Sequence, residues 1–181
     1  MSGGYVMLGV PRNGVSLVNH NENWANEFKK AKKILENIHK DNIIDIQHVG
    51  STAINGIMAK PLLDIAIMFK DISIINLKGM QENGYDYCGD TGVAGKYFFV
   101  LRGEDEVSLQ HIHCYAEDSE YFAAQINFRD YINSHPEYAR EYESLKQELY
   151  KQYPDDRKKY TSGKVAFFNK IKLIANGNRY E

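Results

Sequence analysis

Three groups of residues in this chain could do chemistry. The first lies in "IQHVGSTAINGIMAKPLLDIAIMF", residues 46–69, where Asp64 stands between Leu63 and Ile65 inside an apolar run. A carboxylate in such a run is costly unless donors or a cation hold it. Two roles stay open for it: a carboxylate satisfied by backbone amides at a strand end, or an oxygen ligand for Mg²⁺ or Mn²⁺, hard cations that prefer oxygen. The second group is His111 and His113. Residues 107–115 alternate, so Leu109, His111, His113 and Tyr115 share one strand face. Two imidazoles aimed the same way can hold a metal, or pair a phosphate contact with an acid/base. A histidine-triad hydrolase would want a third histidine where the chain has Tyr115.

The third group is Gly50-Ser51-Thr52, which ends the strand before Asp64. A glycine there lets the backbone approach a phosphate, and the amides and hydroxyl of the turn can donate to it. A plain strand-to-turn glycine is the alternative. His48, just upstream, is a further candidate metal ligand. Lys60, Lys96, Lys146 and Lys164 are candidate phosphate contacts, although each singly is also what a solvated surface offers. Arg129-Asp130 belongs either to a site or to an ion-pair network that fixes the helical part.

These residues need elements to position them. Residues 1–14 read as a flexible leader and 15–18 as a short strand. Asn21 or Asn23 caps a helix whose apolar face is Trp24, Phe28, Ala31, Leu35 and Ile38. Residues 43–49 and 62–69 read as strands, the second buried on both faces except at Asp64. Between them "AINGIMAKP" is a turn or short helix, broken by Gly56 and stopped by Pro61. Residues 71–84 predict a helix. Residues 85–103 predict a hairpin whose first loop is made pliable by Gly89, Gly92 and Gly95. From about Glu117 the pattern turns helical, with one stripe at Tyr138, Tyr142, Leu145 and Leu149 and another at Phe167, Ile171 and Ile174. The expected fold is α+β: a mixed α/β core over residues 1–117, with C-terminal helices over 118–181 packed on it as a single compact unit.

The totals narrow the function. With 181 residues, 43% hydrophobic and 25% charged, the chain can bury an ordinary globular core. A net charge of −2 supplies no global basic field, which argues against long nucleic acid as a partner and leaves room for a local basic cleft. Two cysteines, Cys88 and Cys114, make neither a disulfide framework nor a structural zinc site, and read as free thiols in a reducing compartment. The first residues lack the pattern of a signal peptide, and no apolar run approaches membrane-spanning length. The expectation is a cytoplasmic protein with no membrane partner and an open oligomeric state.

The runs "HVGSTAINGIMAKPLLDIAI", "HIHCY", "NFRDYINSHPEYAREYESLKQEL" and "YTSGKVAFF", in that order and preceded by "VSLVNHNENWANEF", resemble the GrpB family over nearly the whole chain. That family is grouped with the nucleotidyltransferase superfamily. The resemblance implies a nucleotidyltransferase-like mixed sheet with flanking helices. It implies that Gly50 and Ser51 cradle phosphate and that Asp64 is the first metal carboxylate. A second carboxylate should stand at 66, where the chain has Ala66, and a third on the later strand, which offers His111 and His113 instead. The implied activity is transfer of a nucleotidyl group from an NTP to a small-molecule or protein acceptor, with a divalent metal. The alternatives are a catalytically degenerate nucleotide- or metabolite-binding module and a metal-dependent phosphohydrolase. Asp64, His111 and His113 are expected to share one cleft, with Ser51 and Thr52 at its mouth and Lys146 or Lys164 reaching in from the helices.

Overall fold

A computed structural model describes residues 8–12, 14–89 and 96–177. Its centre is a five-stranded sheet in the order β1 (Ile43–Val49), β2 (Leu63–Phe69), β5 (Ser108–Ala116), β4 (Lys96–Arg102), β3 (Tyr85–Tyr87). β2 and β5 run parallel; the other neighbours are antiparallel. β2 reads as almost continuously apolar because helices cover both of its faces. On one face Leu63, Ile65, Ile67 and Phe69 pack with Trp24, Ala31 and Leu35 of α1 (Asn23–His39) and Met80 of α2 (Leu77–Glu82). The Asn21 side chain accepts from the Asn23 amide at 3.0 Å and starts α1, as the sequence led us to expect.

The other face carries Asp64, Ala66 and Met68. Four helices roof it: α3 (Glu120–Ser134), α4 (Pro136–Gln152), α5 (Arg157–Ser162) and α6 (Val165–Gly177). Ile54 and Ile57, from the loop after β1, form one apolar cluster with Phe128, Ile132, Tyr142, Phe167 and Ile171. Each such side chain contributes about 1.5–3 kcal/mol when fully buried. The cluster therefore ties the helices to the sheet segment. Arg129 fastens α3 to β1: its Nη1 donates to the His48 carbonyl at 2.7 Å and to Gln47 Oε1 at 2.9 Å, while its Nε pairs with Asp130 at 2.7 Å. These are the contacts of an anchor.

The α+β class expected from the sequence is the class found, with local differences. Residues 71–84 are not one helix. The Asp71 carboxylate accepts from the Ser73 amide at 2.9 Å and starts a separate 3₁₀ turn, Ile72–Ile74. The Asn76 side chain then caps the shorter α2 by accepting from Gly79 at 2.8 Å. Short polar side chains compete for backbone amides and divide the segment. The leader is tied down earlier than residue 14. Gly9 donates to the Pro61 carbonyl at 2.8 Å, and fully buried Val10 pairs with Ser108. Residue 18 makes a lone bridge to Ala59 rather than ending a strand. The hairpin of β3 and β4 is present, while Gly92 and Gly95 lie outside the described residues. Cys88 and Cys114 are free thiols. Among the described residues no helix is long and apolar enough to cross a membrane.

Candidate functional site

The parallel register of β2 and β5 sets Asp64 opposite His111 and Ala66 opposite His113, so the carboxylate and both imidazoles stand on the roofed face. Asp64 Oδ1 lies 3.4 Å from His111 Nδ1 and 3.4 Å from His113 Nε2. A charge-assisted hydrogen bond is usually about 2.7–2.9 Å. The longer spacing is close to the roughly 3.4 Å between two ligands set tetrahedrally about 2.1 Å from one ion. One ligand atom from each of the three residues lies within 4.8 Å of the others. This donor set fits a single cation.

The hydrogens can be assigned from the partners. Arg157 Nη2 is 3.1 Å from His111 Nε2. A guanidinium only donates, so Nε2 accepts and the ring hydrogen sits on Nδ1, facing Asp64. Among the described residues buried His113 Nδ1 has no hydrogen-bond partner, which leaves its hydrogen on Nε2, also facing Asp64. Burial lowers the His111 pKa below its ordinary value, with the Asp64 hydrogen bond opposing. Burial pushes the Asp64 carboxyl up, but the hydrogen bonds and charges of His111 and His113 outweigh it and hold Asp64 well below the usual carboxylate range. The resting site is thus a carboxylate anion between two imidazole donors, with the Phe98 ring 5.1 Å from each imidazole.

Gly50 is required there for two reasons. Its backbone sits at φ 71°, ψ −171°, a conformation that belongs almost wholly to glycine, and a Cβ would run into the Asp64 carboxylate. The one-turn 3₁₀ helix Ser51–Ala53 follows, closed by the Ala53 amide on the Gly50 carbonyl at 3.2 Å. The amides of Ser51 and Thr52 are not used inside that turn. Ser51 Oγ lies 3.3 Å from the Tyr142 hydroxyl. The Thr52 side chain is buried and turned inward: its hydroxyl donates to the Leu62 carbonyl at 3.1 Å and is 3.0 Å from His48 Nε2. It bolts the turn to the start of β2, so only its backbone is left for a ligand.

His48 is not with the other candidate ligands. Val49 pairs with Asp64 and shares its face, so His48, opposite Ile65, points to the other side of the sheet. Its ring stacks on Phe28 of α1 at 5.1 Å, and burial lowers its pKa to about 4. Lys146 is also elsewhere. It is 1% exposed, its Nζ donates to the Met58 carbonyl and lies 4.8 Å from the Tyr142 ring centroid, and its neighbour Glu143 accepts from the Met58 amide at 2.6 Å. Both side chains clamp the loop before Ala59 to α4.

Gly50, Ser51, Thr52, Asp64, His111 and His113 line a cleft of about 500 Å³ between the sheet and the helical roof. Lys60, Lys96, Arg157 and Lys164 also line it, so that among the described residues four cations face one carboxylate, that of Asp64. Tyr160 organises two of them: Lys60 Nζ is 5.5 Å and Lys164 Nζ 4.9 Å from its ring centroid. Burial, then the charges of Lys164 and Arg157, lower the Lys60 pKa to about 7. Burial lowers Lys164 to about 8, with Asp64 opposing. A multiply charged anion is the ligand such a cleft suits. Arg157 is the functional residue that sequence reasoning missed. Arg157, Tyr160, Thr161 and Lys164 recur at i, i+3, i+4 and i+7, the spacing that could have found it.

A glycine-serine turn after one strand, a carboxylate in the next, and helices on both faces of a five-stranded mixed sheet define an α+β fold with its cleft under the helical roof. The GrpB protein family model matches residues 14–173, and the chain belongs to the GrpB family. It is 39% identical over 170 residues to the glutamate-rich protein GrpB of Alkalihalophilus pseudofirmus, covering 91% of this chain and 98% of that protein. It is 35% identical over 156 residues to the UPF0157 protein YqkA of Bacillus subtilis, covering 85% of this chain but only 45% of the other. Among solved structures it is similar to the crystal structure of conserved protein GrpB from Enterococcus faecalis, with a TM-score of 0.83 at 27% identity, over 92% of this chain and all of that one. A looser match, to the Cid1 poly(U) polymerase, has a TM-score of 0.43 at 8% identity, too distant to carry residue roles across.

Proposed function

We propose that the protein transfers a nucleotidyl group from an NTP to a small-molecule or protein acceptor, using one divalent cation, Mn²⁺ or Mg²⁺. The observation that carries this is the meeting of Asp64, His111 and His113 beneath the cations Lys60, Lys96, Arg157 and Lys164. The three residues would hold the cation, which when bound would neutralise phosphate charge and polarise the reacting phosphoryl oxygen. Lys60 and Lys164, with the Ser51 and Thr52 amides and the Ser51 hydroxyl, bind the phosphates, and Gly50 leaves room for Asp64 beside them. In the transfer the acceptor oxygen bonds to the α-phosphorus and the bond to the β-phosphate oxygen breaks. Pyrophosphate leaves and the acceptor's proton passes to water. The roof orients the triphosphate, which is where binding energy becomes rate. Neither Lys146 nor His48 belongs to this set. The free thiols Cys88 and Cys114 support a cytoplasmic location.

Ala66 favours a second reading. It is fully buried with Val49, Tyr115 and Phe122, so packing fills the place of a second metal carboxylate. A two-metal site does not fit these residues, and a catalytically degenerate nucleotide- or metabolite-binding module does without one. The test is calorimetric titration with ATP, GTP, CTP and UTP plus Mn²⁺, followed by incubation with each labelled NTP and a metabolite extract. A labelled acceptor with released pyrophosphate supports transfer. Binding without turnover leaves the binding module. Release of inorganic phosphate alone means a phosphohydrolase. No NTP binding, or binding unchanged by Asp64→Asn, sinks the site as assigned.

A further inference from the structure

A second hollow, of about 610 Å³, opens on the far side of the His111–Arg157 contact. His111, Arg157, Thr161 and Val165 border both hollows. The contact is therefore a partition between two spaces rather than the end wall of one. Beyond it Arg12, Arg102 and Lys158 stand around a floor of Phe98, Val100 and Val165. Arg102 is countered by Asp86 at 3.1 Å and Glu106 at 3.6 Å. No carboxylate is among the described residues that line the hollow. Arg157 also donates to the Arg12 carbonyl at 3.3 Å, which fixes the segment carrying Arg12 against the partition.

We propose that this second hollow binds the acceptor, and that the acceptor is a small molecule bearing a phosphate or carboxylate on an apolar frame. The inference rests on the nucleotidyl-transfer reading. Transfer needs both substrates to reach one point, and the two hollows adjoin at the residues they share, with His111 of the candidate cation site among them. The volume lies in the range of small-molecule sites, about 300–1,000 Å³. The lining supplies what that ligand needs: planar guanidinium forks for a phosphate or carboxylate, and an apolar floor for the frame. The exposed cations Arg12 and Lys158 would also steer an anion to the mouth, an effect that salt weakens.

The test is a ¹H–¹⁵N NMR titration of the full chain with inorganic phosphate, at ionic strength held constant with chloride. Two events are expected, one at the amides of residues 50–53 and one at residues 157–162 and 108. Arg12→Gln with Lys158→Gln should weaken the second event roughly tenfold and leave the first; Lys60→Gln should do the reverse. Both substitutions of the first pair are at exposed positions, and an unchanged Tm would show that the fold is kept. With the cleft filled by α,β-methylene ATP and Mg²⁺, phosphate should still bind the second hollow. Competition between the two, or a second event indifferent to the Arg12/Lys158 pair, overturns the inference and leaves the nucleotide site standing. If α,β-methylene ATP does not bind at all, the transfer reading falls, and the acceptor assignment falls with it.

Discussion

Arg157→Gln should tighten divalent-cation binding at Asp64. In the structure the Arg157 guanidinium donates to His111 Nε2 at 3.1 Å, so the His111 hydrogen sits on Nδ1, aimed at Asp64 Oδ1 3.4 Å away. A cation shared by Asp64 and His111 needs the Nδ1 lone pair. The ring hydrogen must then move to Nε2, where it faces another donor, and Arg157 has to turn away. Cation binding therefore opposes two terms. A hydrogen bond from a charged donor is worth about 1.5–3 kcal/mol. The guanidinium would also stand roughly 7 Å from a divalent ion, a repulsion of about 1–2 kcal/mol at an effective dielectric of roughly 50–80, close to that of water. A glutamine removes the charge and can turn its amide oxygen to accept from Nε2–H. If half of the combined cost is recovered, Mn²⁺ should bind about eight- to seventyfold more tightly.

Lys164→Gln is the control, because it removes one charge from the same cleft without touching His111. Its effect should be less than about tenfold, the Coulomb part alone. Calorimetric titration with Mn²⁺ measures both affinities. Long-range ¹H–¹⁵N spectra of metal-free protein report which ring nitrogen of His111 carries the hydrogen: Nδ1 in the wild type, with Nε2 gaining in Arg157→Gln. The reasoning is refuted if Arg157→Gln binds Mn²⁺ no more tightly than Lys164→Gln, or if the wild-type hydrogen is on Nε2.

Gly50→Ala should lower the melting temperature and abolish high-affinity cation binding, because a Cβ at φ 71° costs about 1–2 kcal/mol and displaces the Asp64 carboxylate; unchanged binding would show that Asp64 does not depend on this glycine. Thr52→Val, nearly isosteric, should cost about 1–3 kcal/mol in urea unfolding by leaving the buried Leu62 carbonyl and His48 without their partner, with cation affinity unaltered; a loss of affinity at constant stability would give Thr52 a ligand role instead. Phosphate affinity should fall as pH rises from about 6 through the Lys60 value of about 7 and the Lys164 value of about 8, since only the ammonium forms attract the anion. Bound phosphate raises both pKa values, so binding takes up protons in that window, and calorimetry in buffers of different ionisation enthalpy should show it. A fragment of residues 118–181 should show no cooperative thermal transition, because Phe128, Tyr142 and Phe167 are buried against Ile54 and Ile57; a sharp transition would make the helices an independent domain.

What could be read from the chain divides along a physical line. Alternation and helical spacing are local, and they marked Asp64 as anomalous and put His111 and His113 on one face. That the two groups touch depends on the parallel pairing of β2 with β5, strands far apart in sequence whose register no local pattern encodes. Only the resemblance to a known family supplied it. His48 shows the same limit, because a single step of strand parity decides its face, and parity relative to Asp64 is known only once Val49 is seen opposite it. Lys146 was more legible than its placement among the phosphate contacts suggests. It lies four residues after buried Tyr142 and three before buried Leu149, so helical spacing already put it on the core side of α4. Arg157 lay in a run of charges, and its role needed the helical face it shares with Tyr160, Thr161 and Lys164. Ala66 needed both levels. The sequence exposes the missing carboxylate, but only the packing of Val49, Tyr115 and Phe122 around Ala66 shows that the space is filled. Among the described residues that line the cleft, four cations face one carboxylate, and on the reading proposed above that balance favours a single cation bound together with a phosphate ligand.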